Sequence, residues 1–243
     1  MNKNTSMLKI IAIGCMIIDH AGAMLFPGAI WMRIIGRAAF PLFCWCMAVG
    51  AAHTRSLARY GGRLAALFII SQPFYMIALN HTLLQFNIFA TLLLGLAGIA
   101  GIRKGWYWAT VAALVAAYML KPDYGLRGVV CILILYICQD KPIILSACFG
   151  LFCYAWGIGG SMRLAMPWGI SGGRVTINWG SASLSVFNIF GHTVRLQMLA
   201  LLALPLMLIP MERRTRLPIP DKLLYWAYPA HLAGLWLIKD MIK

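Results

Sequence analysis

Solid apolar runs separated by short polar breaks make up most of this chain. The runs approach the ~20 residues that a helix needs to cross a bilayer. They are continuous rather than alternating, which argues against a transmembrane β-barrel. Lipid offers no water to satisfy backbone N–H and C=O groups, so each run is expected to be helical. Nine helices are predicted, over Met7–Phe26, Ile34–Ala52, Arg63–Leu79, Phe86–Ile102, Trp106–Leu120, Tyr124–Cys138, Pro142–Ile158, Val194–Met211 and Leu223–Ile238. The expected fold is all-α, a polytopic transmembrane helix bundle forming a single integral membrane domain over residues 1–243. The longest polar stretch, Gly159–His192, is rich in Gly and Ser, with Trp168 and Trp179 near interface depth. It suits a re-entrant or amphipathic element. The first run is too long for a signal peptide, contains Asp19 and His20, and lacks a clear small-residue cleavage site after it, so it reads as a retained helix.

Lys and Arg in the breaks set the orientation. The tightest clusters fall on one side of a nine-helix path: Lys3 and Lys9, then Arg55, Arg59 and Arg63, then Arg103 and Lys104, Lys141, and finally Arg213, Arg214, Arg216 and Lys222. This predicts a cytoplasmic N-terminus and, from the odd helix count, an outer C-terminus. Composition supports the membrane assignment: 62% of residues are hydrophobic and 11% charged, where a soluble domain is about half apolar and a quarter charged. The net charge of +15 would suggest nucleic acid in a soluble protein. Here the basic residues cap helices and fix topology, so lipid is the expected partner and nucleic acid is not. The seven Cys are scattered through apolar runs with no ligand spacing, so no metal site is expected.

Candidate chemistry is confined to a few ionisable residues within or beside the runs, where they are costly and usually mark function. Asp19-His20 lies late in the first helix. His20 suits a general base near neutrality. Asp19 could orient a base, or pair with an Arg to hold two helices together. Arg33 and Arg37 lie one turn apart on one helix face. They suit an anion, either Asp19 or a substrate phosphate or carboxylate. Pro41 cannot donate to the carbonyl of Arg37, which predicts a kink there. His53, Arg55, Arg59 and Arg63 form a basic patch suited to the phosphates of a donor such as coenzyme A, or to anionic lipid. Asn87 and Tyr124 open helices, and Asp123 reads as a helix cap. Tyr228-Pro229-Ala230-His231 sets a second His beside a proline kink. No phosphate-binding loop, dinucleotide fingerprint, nucleophile elbow or metalloprotease motif is present. Acyl transfer across the membrane and proton-coupled transport remain as the two main classes, with a non-catalytic assembly factor as a third.

Five ordered blocks span nearly the whole chain. They are Leu8-Lys9 through Ile18-Asp19-His20, Gly36-Arg37-Ala38-Ala39-Phe40-Pro41-Leu42-Phe43, Asn87-Ile88-Phe89, Tyr124-Gly125-Leu126-Arg127-Gly128 and Tyr228-Pro229-Ala230-His231-Leu232. The set resembles the TraX family of conjugal-transfer proteins. That resemblance implies an inner-membrane acetyltransferase acting on the N-terminus of conjugative pilin, with acetyl-CoA as donor. It carries Asp19, His20, Arg37, Pro41, Asn87, Tyr124, Gly125 and His231 as matched positions without giving their roles. Lys9 and His20 also show the spacing of a basic residue and a His that is similar to the acyltransferase-3 group. Eleven helical positions rise about 16 Å, so the two would face different depths. The expected site has His20, Asp19, Arg37 and His231 as catalytic residues. Lys9, His53, Arg55, Arg59 and Arg63 would hold the donor, and Arg33, Asn87, Tyr124 and Tyr228 the acceptor, which is pilin or another amine or hydroxyl.

Overall fold

The computed structural model of the chain describes residues 1–2, 4–158, 161–165, 174–178, 185–189, 192–210 and 221–242. Side chains are described outside 158–194 and 221–225. Lys3, Trp168, Trp179, Arg213, Arg214 and Arg216 lie outside the described residues, and the side chain of Lys222 does too.

Helices form where the apolar runs predict them. α1 covers Thr5–Met24, with Asn4 accepting from the Met7 N–H at its start. α4 covers Leu57–Leu79, capped by Ser56 through the Arg59 N–H. α5 (Ile88–Lys104), α6 (Tyr107–Leu120), α7 (Gly125–Cys138), α8 (Pro142–Ile158) and α10 (Asp221–Ile242) follow the predicted runs to within a few residues. Two predicted helices are each divided. The second is a short α2 (Ile30–Gly36), a turn at Arg37–Ala38, and α3 (Ala39–His53). The break precedes Pro41, which then sits in the first turn of α3, where its missing N–H leaves no helical bond unmade. The eighth is a 3-10 helix over Leu196–Ala203 running into α9 (Leu204–Leu208).

The polar stretch holds two antiparallel hairpins in place of the expected re-entrant or amphipathic element. β1 (Ser161–Ala165) pairs with β2 (Arg174–Asn178), and β3 (Ser185–Ile189) with β4 (His192–Arg195). The reason is legible in Arg174-Val175-Thr176-Ile177-Asn178, where apolar and polar residues alternate and β-branched residues dominate.

α3 is the core of the bundle. Nearly its whole length is buried, from Ala39 through Val49, and α1, α5, α7 and the 3-10 helix pack round it. The outward faces of the surrounding helices carry exposed Ile69, Ile77, Trp108, Val111, Ile143 and Leu151. A soluble protein avoids so large an apolar surface; a protein in lipid requires it. Three segments among the described residues are long and apolar enough to cross a membrane, Thr5–Met24, Ile30–His53 and Leu57–Leu79. α6 and α7 have 14 residues each and rise about 21 Å, short of a ~30 Å hydrocarbon core. The chain is a multi-pass helical membrane protein.

One end of the bundle is basic. Arg103 donates from Nη1 to the carbonyls of Ala51 and Thr54, at 3.2 and 3.1 Å. That ties the end of α5 to the end of α3 and gathers His53, Arg55, Arg59, Arg63, Arg103 and Lys104 on one rim. The remaining ionisable residues of interest meet towards the opposite end.

Candidate active site

Asp19 is nearly buried on the last turns of α1. A buried carboxylate needs charged or hydrogen-bonding partners on both oxygens. Arg33 Nη1 meets Oδ2 at 2.9 Å, and Arg37 Nη2 meets Oδ1 at 2.6 Å. Arg33 Nη1 also donates to the Asp19 carbonyl. The turn at Arg37–Ala38 brings both guanidinium groups to one carboxylate. Gly36 makes the approach possible, because a side chain there would overlap the Asp19 carboxyl. Arg37 spends its other nitrogens as well: Nε donates to the Arg33 carbonyl at 3.2 Å and Nη1 to Gln197 Oε1 at 2.9 Å. Of the two sequence-level options for the arginine pair, the partner is Asp19. Arg37 thereby joins α1, α2 and the 3-10 helix.

His20 meets His231 of α10, with Nδ1 2.7 Å from Nε2. The ring centroids are 4.9 Å apart with planes 10° from parallel. Adding ring radii of about 1.1 Å on each side to an N···N contact gives nearly that separation, so the two imidazoles lie in line, edge to edge, rather than face to face. The protons follow from the partners. His231 Nδ1 lies 2.9 Å from the Ala227 carbonyl, which can only accept. His231 Nδ1 therefore carries hydrogen, and neutral His231 offers Nε2 as an acceptor. His20 Nδ1 is then the donor, and neutral His20 keeps a lone pair on Nε2. The arrangement fixes one tautomer and points a basic nitrogen away from the pair.

Three cavities run in series through this region. The widest, about 660 Å³, is lined by Asp19, His20, Arg33, Arg37, Lys121, Asp123, Tyr124, Arg127, Trp156 and Gln197 among others. A small chamber of about 30 Å³ shares Asp19, His20, Asp123 and Tyr124 with it. A narrow apolar passage of about 80 Å³ shares Met16, Phe43, Ile88 and Tyr228 with the chamber and reaches Lys9, Tyr60 and Leu64. His20 thus stands where a polar cavity meets a passage leading toward the basic end.

The turn joining α6 to α7 forms part of the wide cavity's wall, and its backbone is strained. Lys121 and Tyr124 have φ of 44° and 64°, and Gly125 has φ of 48°. Non-glycine residues in this region each cost about 1–3 kcal/mol and persist only where the surroundings hold them. Asp123 donates its N–H to the Phe86 carbonyl, its own carbonyl accepts from Thr91 Oγ1, and the Tyr124 ring stacks on Phe40 with centroids 3.7 Å apart. Tyr124, not Asp123, occupies the cap position of α7, and no side chain caps that helix. The Asp123 carboxyl instead lines the wide cavity and the chamber, where burial pushes it up to about 6 against the opposing pull of Arg37.

The structure brings together His20, Asp19, Arg37, His231, Arg33 and Tyr124. Tyr228 lines the passage, its ring 5.5 Å from that of His231. Lys9 lines the far part of the passage, and Arg63 lies over the Tyr60 ring at 5.6 Å. His53, Arg55 and Arg59 sit on the basic rim without lining any of these three cavities. Asn87 is fully buried and caps α5: Oδ1 accepts from the Phe89 N–H, while Nδ2 donates to the Phe68 carbonyl. Sequence reasoning missed Gln197 and read Asp123 as a cap. Gln197 carried a usable signal, since it is the one polar side chain in the apolar run Leu196–Leu208.

No solved structure matches the chain. It is 30% identical over 156 residues to a protein described as Protein TraX from Escherichia coli K12, covering 58% of this chain and 60% of that one. It is 38% identical over 80 residues to a probable fimbrial assembly protein, FimC of serogroup H1, from Dichelobacter nodosus, covering 30% and 33%. Each match thus takes in less than two thirds of the relative. The sequence profile described as TraX protein matches residues 4–239, and the chain therefore belongs to the TraX family.

Proposed function

We propose that the protein is a membrane-embedded acetyltransferase of the bacterial inner membrane, moving acetyl from acetyl-CoA to the N-terminus of a pilin. The observation that carries the reading is the position of His20, with a free-standing basic nitrogen at the junction of a polar cavity and a narrow apolar passage. The passage suits the thin pantetheine arm of the donor. Lys9 and the rim arginines Arg55, Arg59 and Arg63 suit its phosphates on the cytoplasmic side. The acceptor enters the wide cavity from the other end. Its nucleophilic atom attacks the thioester carbonyl carbon while its hydrogen passes to His20 Nε2. The C–S bond breaks with its electron pair on sulfur, and the imidazolium returns the proton to give the free thiol. His231 orients His20 and shares the charge of the imidazolium. Asp19, Arg33 and Arg37 position the end of α1 that carries His20.

The family resemblance and the likeness to a protein described as a fimbrial assembly protein both favour a pilin acceptor. A proton-coupled transporter is the weaker reading. The passage wall is mainly apolar, with Lys9, Cys46, Tyr60 and Tyr228 its only protic side chains among the described residues and no carboxylate among them, and Asp19 is held by two arginines. The test is to purify the protein and follow labelled acetyl from acetyl-CoA to pilin. A folded His20→Ala variant should lose roughly 10²–10⁴ of the rate, and His231→Gln less than that. Full transfer by His20→Ala would overturn the assignment. Proton-driven flux in proteoliposomes without any need for coenzyme A would favour transport.

A further inference from the structure

The wide cavity holds one carboxylate that the mechanism does not use. Asp19 is saturated by Arg33 and Arg37. Asp123 is not: among the described residues its carboxyl forms no ion pair, and its near partner is the N–H of Tyr124. Its placement is costly on two counts. The turn that presents it contains two non-glycine residues at positive φ, and the carboxyl is buried where it lines the wide cavity and the chamber. Strain of that kind is retained where a site needs it. The surroundings lock it too, through Phe86, Thr91 and Phe40.

The chamber supplies the distance argument. Its volume is about 30 Å³, room for one or two water-sized groups. His20 and Asp123 both line it. A single small group there reaches the base and the carboxylate together. A primary ammonium has that size, carries three donors and bears the charge that a buried carboxylate without an ion-pair partner calls for.

We infer that Asp123 is the anchor for the acceptor's ammonium group, so that the site selects an amine over a hydroxyl or an amide. This rests on the acetyl-transfer reading only for its purpose, not for its test. The ammonium donates to the Asp123 carboxylate, releases one proton to solvent through the wide cavity, and presents its lone pair beside His20, which stays neutral to take the second proton on attack. Acetylation then removes the positive charge. The amide product has lost its hold on Asp123 and leaves, which gives the site a built-in means of release.

The experiment is binding in the absence of acetyl-CoA. The purified protein in detergent is titrated with a synthetic pilin N-terminal peptide bearing a free amine, and with the same peptide already acetylated. The wild type is expected to bind the amine about 10–100-fold more tightly, the range of a charge-assisted hydrogen bond. Asp123→Asn should bring the two affinities together, and Asp123→Glu should restore part of the preference. Equal affinities in the wild type would overturn the inference without any variant. So would an undiminished preference in Asp123→Asn. If the amine preference depends on Asp123 but no acetyl moves from acetyl-CoA, the acetyl-transfer reading fails and the anchor stands. If acetyl moves and the preference does not depend on Asp123, the anchor fails alone.

Discussion

Asp19 shows how a single side chain can organise its neighbours. Its two oxygens each take a guanidinium, at 2.9 and 2.6 Å, and Gly36 leaves room for it. This makes Gly36→Ala an informative substitution, because two effects oppose each other. Alanine in a helix gains about 0.5–1 kcal/mol over glycine. Displacing a largely buried carboxylate from two arginines costs roughly 3 kcal/mol. The second effect wins, so the variant is expected to melt lower in detergent and to lose acetyl transfer; a higher melting temperature would show that Asp19 can move aside. At this scale the sequence was legible wherever an ionisable residue interrupted an apolar run, which is why Asp19, His20, Arg37 and His231 stood out. It was not legible at Asp123. A carboxylate just before a helix looks the same whether it caps the helix or faces a cavity. The positive φ of Tyr124, which takes the cap position instead, decides the matter and is written in no local residue pattern.

Among the elements, the break between α2 and α3 matters most. The apolar run predicts one helix, and by length Ile30–His53 remains a single span. The turn at Arg37–Ala38 is what swings Arg33 and Arg37 onto Asp19. Pro41 enforces it by withholding an N–H from the Arg37 carbonyl. Pro41→Ala restores that donor and allows the helix to run on. The expected outcome is a variant of near-normal melting temperature with transfer reduced at least tenfold; unchanged transfer would mean that packing alone holds the turn. The sequence placed the proline as a disruption acting at the Arg37 carbonyl, and the chain breaks there, at Arg37–Ala38, into two helices rather than one kinked one. The hairpins of the polar stretch are a different kind of miss. Their alternation is short and lies among glycines and serines, so the compositional signal of a loop outweighed the pattern of a strand.

At the scale of the molecule, a basic rim lies at one end and a charged cavity towards the other, with the narrow passage and the small chamber between them. If the passage carries the donor arm, Ile13→Trp on its wall should raise the KM for acetyl-CoA about tenfold or more while leaving the free-amine peptide's affinity unchanged. Loss of both affinities together would point to a disturbed bundle instead. Nine apolar runs and their place in lipid were readable from the start, but which helices meet was not, since apolarity alone does not say which face meets which neighbour. The in-line histidines are the clearest case, 211 positions apart in the chain. A ribosome adding about 5–20 residues each second needs roughly 10–40 s to travel from one to the other. Arg33 and Arg37 reach Asp19 soon after it is made, whereas His20 waits for α10 to insert. A nascent chain thus has its charged scaffold in place long before His20 meets the side chain that fixes its tautomer.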